Sequence, residues 1–285
     1  MAFTLRYSPH LGYAPPDLLL FRTLAGQNRA NHVRFAAREG LAGVLYPWAA
    51  DSPVEERQEV QLALRETGLE CSCIVSTPLS AVLDPVWVTE GAAAQAKILQ
   101  FVKAALHVAE EIGSKTLAVL VRSDGQSSPQ VQRQRAAGQL RMAADVTSKR
   151  GVTLALEPMI ALPDMLLPTF AESVEFIRTI AHPGVRLIFD SGHVTDMGDP
   201  LLASYVEAYD DIHLLQIADM PGRVEPGRGQ LDITGILTHA IRRGYRGLVD
   251  LEHDWWKSGE DSERQALEAL RKIDAEASRR AASAI

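Results

Sequence analysis

Cysteine is almost absent from this chain: Cys71 and Cys73 are the only two among 285 residues. One residue apart, they are poorly placed for an ordinary disulfide, and no second pair of soft ligands stands ready to complete a metal site with them. We read them as structural residues of a strand, and the low count suits a reducing compartment. Basic runs are absent too. With 29 Lys and Arg against 36 Asp and Glu the net charge is −7, so the chain lacks the basic stripe that displaces counterions from phosphates, and no nucleic-acid partner is expected. No apolar run approaches the roughly 20 residues that span a bilayer. The opening MAFTLRYSPH has no basic region followed by an apolar stretch, so no leader and no membrane association are expected, and the expected location is cytoplasmic. No Ser- or Pro-rich linker interrupts the chain, and no G-x-G-x-x-G follows a predicted strand, which removes the usual signature of an open nucleotide-binding sheet.

What the chain does contain is a regular alternation of short apolar runs and longer helical patterns. Strands are predicted at Phe3–Tyr7, Gly43–Tyr46, Leu69–Val75, Thr116–Val121, Val152–Glu157, Val185–Asp190, Ile212–Ala218 and Leu248–Glu252. Helices are predicted between them, several stopped by a glycine such as Gly40, Gly68, Gly113 or Gly244. Thr169 and Glu172 have the spacing of a capping box. Runs such as VTLALE and VRLIFD are almost continuously apolar, as parallel strands covered on both faces require. Eight strand–helix units in 285 residues allow about 36 residues each, the repeat of an eightfold barrel. The expectation is an α/β fold: a single (β/α)8 TIM barrel domain over residues 1–285.

In such a barrel the chemistry gathers where strands lead into helices. The last four strands close on Glu157, Asp190, Gln216 and Glu252, which are 33, 26 and 36 residues apart. Taken singly each has a structural explanation: a strand-end cap, a turn at Asp190-Ser191-Gly192, a satisfied core amide, an ion pair of Glu252 with Arg246. Together they put three carboxylates and an amide at one end of four neighbouring strands. Buried carboxylates need a partner or a proton, and one divalent cation answers that need. An all-oxygen set suits Mg²⁺ or Mn²⁺ better than Zn²⁺. His193 stands where the chain leaves strand six and could meet a substrate oxygen. Arg223 or Arg228, in the shaped loop PGRVEPGRGQ, could fork onto a substrate carboxylate. His213 begins strand seven and is expected at the opposite end of the barrel, in a structural role.

The pieces E-P, D-S-G-H, Q-I-A-D-M-P-G-R-V-E-P-G-x-G and a final L-E, in this order over roughly residues 150–253, resemble xylose isomerase-like TIM barrels, and within them the hydroxypyruvate isomerase branch. The resemblance implies one divalent metal held by Glu157, Asp190, Gln216 and Glu252. It also implies that Glu157 and Glu252 serve as the acid/base pair and that His193 and Arg223 bind substrate. The chain departs from the branch in three places. Met159-Ile160 stands where Asn is frequent, His253-Asp254-Trp255-Trp256 where Tyr is frequent, and the loop Ser76–Val88 follows no shared pattern.

The implied reaction is isomerisation of a small sugar or hydroxy-keto acid through an enediolate, with two glutamates moving the proton. A ketose 3-epimerase, a 2-oxo-tetronate isomerase and a keto-sugar lyase or dehydratase would use the same beginning. A non-catalytic sugar-binding barrel would be expected to have lost one glutamate, and both are present. An endonuclease of the same barrel group would be expected to carry more His ligands and a basic surface. A homo-oligomer is compatible with the sequence.

Overall fold

The computed structural model describes residues 2–283. Its elements follow the predicted alternation. In chain order they are β1 (Arg6–Pro9), α1 (Arg29–Arg38), β2 (Gly43–Val44), α2 (Val54–Thr67), β3 (Glu70–Cys71), β4 (Ile74–Val75), α3 (Ala92–Ile112) and β5 (Thr116–Val119). There follow α4 (Pro129–Thr147), β6 (Thr153–Leu156), α5 (Phe170–Ile180), β7 (Val185–Asp190), α6 (Ser191–Asp196) and α7 (Leu201–Ala208), then β8 (Ile212–Ile217), α8 (Ile233–Arg242), β9 (Leu248–Leu251) and α9 (Glu260–Ala282). Seven strands form one parallel sheet in the order β1-β9-β8-β7-β6-β5-β4, and β2 pairs with β3 alongside. The ring is drawn together at β2: Leu45 donates its N–H to Pro9 O and Leu11 donates to Leu45 O, with His10 and Leu45 in parallel register. The fold is α/β and TIM-barrel-like.

Two layers of apolar side chains follow from strand alternation. Leu117, Val119, Leu154, Leu156, Leu187 and Phe189 pack outward with the helices. The residues between them, including Ala118, Ala155, Ile188 and Leu214, form a separate small cluster with Leu45, Cys73 and Val75 inside the barrel. Continuing the inward positions along the chain gives Glu157, Asp190, Gln216, Asp250 and Glu252. The polar residues therefore take the next inward steps above a filled apolar floor.

Several local expectations are refined. The predicted third strand, Leu69–Val75, is split: Glu70–Cys71 pairs with β2 and Ile74–Val75 with β5. At the break, the Ser72 carbonyl accepts from the Ser114 hydroxyl at 3.2 Å instead of from a strand amide. Both cysteines are buried and free. Half of the capping box forms: Thr169 Oγ1 accepts from Glu172 N at 3.1 Å, but the Glu172 carboxylate is taken by Arg133 at 2.7 Å. His213 is the extra residue of a bulge, since Leu187 pairs with Ile212 and Ile188 already with Leu214. It meets Thr116 Oγ1 at 3.0 Å, at the N-terminal end of the strands and away from the site, as expected.

The first strand begins three residues later than predicted because residues 4 and 5 serve another element. Asp274, buried on α9, accepts from Thr4 N at 2.7 Å, Leu5 N at 3.1 Å and the Tyr7 hydroxyl at 3.0 Å. Glu263, about three turns closer to the start of the same helix, accepts from Thr23 N at 2.9 Å and Leu24 N at 2.8 Å. Replacing Asp274 with Ala strands two backbone donors and a phenol, so Asp274→Ala is expected to lower unfolding free energy by about 3 kcal/mol or more. Urea denaturation of the two proteins measures it; a loss within about 0.5 kcal/mol would contradict the role assigned to this carboxylate.

Candidate active site

Glu157, Asp190, His193 and Glu252 each bring one ligand-type atom to within 4.8 Å of the others, and all four are buried. The strands set this up directly. Asp190 closes β7, and Glu157 and Glu252 are the first residues beyond β6 and β9. Asp190, Gln216, Asp250 and Ser8 lie side by side in register across β7, β8, β9 and β1. The register aligns Gln216 with Asp250, and Glu252 stands two residues further up.

His193 is not a solvated loop residue. Asp190 caps the short helix α6 by accepting from His193 N at 2.8 Å, which turns the imidazole inward. Its Nε2 lies 3.7 Å from Glu157 Oε1. Burial pulls the imidazole down to about 4, against the pull of Asp190, so the ring is neutral near pH 7.

Arg223 sits among the acids. Its guanidinium forks onto both oxygens of Asp190, at 3.0 and 2.9 Å, and reaches Glu252 Oε1 at 3.0 Å. Gly192 leaves the room: a Cβ there would come 2.7 Å from Arg223 Nη1. The loop that delivers Arg223 is wound on Asp219, whose carboxylate accepts from the amides of Met220, Gly227 and Leu231, each at 2.9 Å. Asp219 and Val224 pair across this loop, and Arg223 is held at φ 52°, a left-handed conformation that costs a non-glycine residue energy. Arg228 lies away from the acids, over the Trp256 ring. Glu252 pairs with Arg223 and not with Arg246, whose carbonyl accepts from Arg6.

This geometry sorts the carboxyls. Burial raises Asp190, but Arg223 and His193 more than offset it and hold it below the ordinary range. Burial and the neighbouring Asp190 push Glu157 up to about 8. Burial and the facing Glu157 push Glu252 well above the usual value. An empty pair of this kind holds protons near neutral pH, where a divalent cation would hold the charged forms.

Asp250 is the site residue that motif reading missed. It is fully buried, accepts from Ser8 Oγ at 2.5 Å and Ser72 Oγ at 3.0 Å, and hydrogen-bonds with Gln216. Burial nonetheless raises it to about 7. The Gln216 amide is thereby held with its Oε1 buried and without a partner. An orphaned oxygen beside three carboxylates is what a hard cation would use, so the residues present fit a divalent ion. The signal for Asp250 was the period of two: in LVDLEH it shares a face with Glu252.

His10 is a second missed residue. Its Nδ1 accepts from Gly12 N at 3.1 Å, which leaves Nε2 to donate to His253 O, also at 3.1 Å. This fixes the residue after Glu252. His253 and Trp255 thus serve as anchors, with Trp255 Nε1 donating to Leu20 O at 2.7 Å. The acids open into a cavity of about 560 Å³. Glu157, His193, Gln216, Arg223 and Glu252 line it together with loops of the first half, at Tyr13–Pro16, Pro47–Trp48, Leu79 and Val82, and with Met159 and Leu162.

Residues 33–273 match the family described as xylose isomerase-like TIM barrel. The chain is similar to the 3-dehydroshikimate dehydratase of Pseudomonas putida, 29% identical over 156 residues that cover 50% of this chain and 24% of the relative. It is also similar to the hydroxypyruvate isomerase of Escherichia coli, 28% identical over 156 residues that cover 53% and 60%. The matches thus span less than two thirds of either relative. Among solved structures, an AP endonuclease of family 2 from Brucella melitensis superposes with a TM-score of 0.77 at 20% identity, covering 91% of this chain and 96% of that one. At that identity the likeness speaks for the fold alone.

Arg223→Ala leaves Asp190 buried without its cation. In metal-free protein this is expected to cost about 3–5 kcal/mol of stability, and added Mn²⁺ is expected to restore much of it. Denaturant unfolding with and without Mn²⁺ checks both halves; an unchanged midpoint in metal-free buffer would contradict the pairing.

Proposed function

The chain belongs to the xylose isomerase-like TIM barrel family, and on that premise we propose that it is a metal-dependent isomerase of small hydroxy-carbonyl compounds, sugars or hydroxy-keto acids. The observation that carries this reading is the pair Glu157 and Glu252, two buried carboxyls in one cluster with Asp190 and the orphaned Gln216 oxygen. Glu157, Asp190, Gln216 and Glu252 would hold the cation. Bound there, a divalent ion supplies Lewis acidity that polarises a carbonyl and acidifies the neighbouring C–H.

The protein's own groups do the rest. One glutamate, as carboxylate, takes the proton from the carbon next to the carbonyl, and an enediol(ate) results. The other glutamate gives a proton to the former carbonyl carbon while the hydroxyl proton passes from one substrate oxygen to the other, which completes an isomerisation. His193, neutral and 3.7 Å from Glu157, can donate to a substrate oxygen without adding charge. Arg223, released from Asp190 when a cation takes over its role, would be free to hold a substrate carboxylate. Return of the proton to the carbon it left, from the other face, would instead give an epimer, and product analysis separates the two.

Glu157→Gln and Glu252→Gln are each expected to lower exchange of substrate hydrogen with D₂O by at least about a hundredfold. Proton NMR of Mn²⁺-exchanged-to-Mg²⁺ protein with hydroxypyruvate, short ketoses and 2-oxo acids reads this directly. Full exchange in either variant would overturn the mechanism. Removal of the cation with chelator should also stop exchange, and re-addition restore it. Because the empty site holds a proton on Glu157 up to about pH 8, cation binding must displace it. Affinity for Mg²⁺ is therefore expected to rise with pH through about 8, since the raised Glu252 must shed its proton as well. Calorimetric titrations in buffers of different ionisation enthalpy should show proton release at pH 7.

A further inference from the structure

Resting on the reading above for the reacting end, we propose that the substrate's far end is an apolar ring and not a polyol chain. The cavity divides sharply in chemistry. Its charged groups all belong to the cluster around Glu157 and Glu252, while the rest of the lining is largely apolar, including Pro15, Pro47, Trp48, Val82, Met159 and Leu162. Side-chain polar atoms in that part of the lining are few. Trp48 Nε1 donates to Tyr13 O at 2.6 Å. The Cys73 thiol is a poor donor and is buried. The Tyr13 ring lies against the Arg223 guanidinium, 5.5 Å from its centroid. A ketose tail carrying several hydroxyls would give up water there for carbon, with too few partners in return. A flat apolar ring meets proline and indole faces that match it.

The wall is also held in place. Arg122 donates to Leu83 O in the loop after β4, to Pro163 O at 2.8 Å, and to Asp164 Oδ2 at 3.1 Å in the loop after β6. Both wall loops are thereby tied to the end of β5, so the apolar surface is preformed. At about 560 Å³ the cavity falls within the range of sites that enclose drug-sized ligands, which leaves room for a ring beyond a two- or three-carbon head. The three positions at which the sequence departs from the hydroxypyruvate isomerase branch include Met159 and the Ser76–Val88 loop, both on this wall.

Three 2-hydroxy carboxylates that share a head and differ in tail test the idea: mandelate, lactate and erythronate. Isothermal titration into Mn²⁺-loaded protein is expected to show mandelate binding at least about tenfold tighter than either of the others. Leu162→Asn and Val82→Asn should each erase most of that advantage and leave lactate binding unchanged. Erythronate binding as tightly as mandelate would overturn the apolar-tail assignment and leave the isomerase reading standing. A mandelate advantage that survives both substitutions would place the ring elsewhere and overturn it as well. Binding of none of the three would overturn the reading of the reacting end, and this inference with it.

Discussion

Four carboxyls, Glu157, Asp190, Asp250 and Glu252, are withdrawn from water at one end of a barrel whose floor is apolar. Keeping them there without mutual repulsion is the constraint to which the surrounding structure answers. Each acid is satisfied differently. Asp190 has a guanidinium on both oxygens. Asp250 has two hydroxyls and an amide. Glu157 and Glu252 are left to hold protons. The split of the third strand, the bare Gly192 and the left-handed backbone at Arg223 all trace to these arrangements. Environment, and not residue type, divides the four acids into fixed charges and mobile ones.

The division continues outward. The strands of the second half present the groups that can move protons or hold a cation. The loops of the first half present prolines, an indole and aliphatic side chains. Chemistry placed on strand ends is held by sheet hydrogen bonds, whereas walls placed on loops can change without disturbing it. In this chain most of the apolar lining and the groups that can move protons therefore come from different segments.

Much of this was legible in the sequence, for physical reasons that differ by element. Glycines after Thr67 and Ile112 end helices where the left-handed conformation is needed, and the helix limits follow to within a residue. Glu157, Asp190, Gln216 and Glu252 stood out because a polar side chain closing an apolar run is conspicuous. Asp250 was hidden by its neighbour Glu252, although the alternation that puts both on one face was there to be read. The partner of Arg223 was not legible: its contacts lie 33 and 29 residues away, and no local pattern encodes a meeting set by a loop wound on Asp219. The acids of α9 carried no local signal, since nothing in a charged helix marks that Glu263 and Asp274 are buried on backbone amides just before the first strand and in the loop after it. The walls of the cavity come from loops with no periodicity to interpret.

Those two acids of α9 bear on how the molecule is made. A ribosome releases β1 first and α9 last, and domains generally fold as units during synthesis. Until α9 emerges, Thr4, Leu5, Thr23 and Leu24 have no carboxylates to receive their amide hydrogens. The opening strand must therefore wait, loosely held, through the synthesis of nearly everything else. The residues that flank the first strand are fastened by a helix made long after them, and chains stalled before α9 should be the ones that chaperones and proteases find.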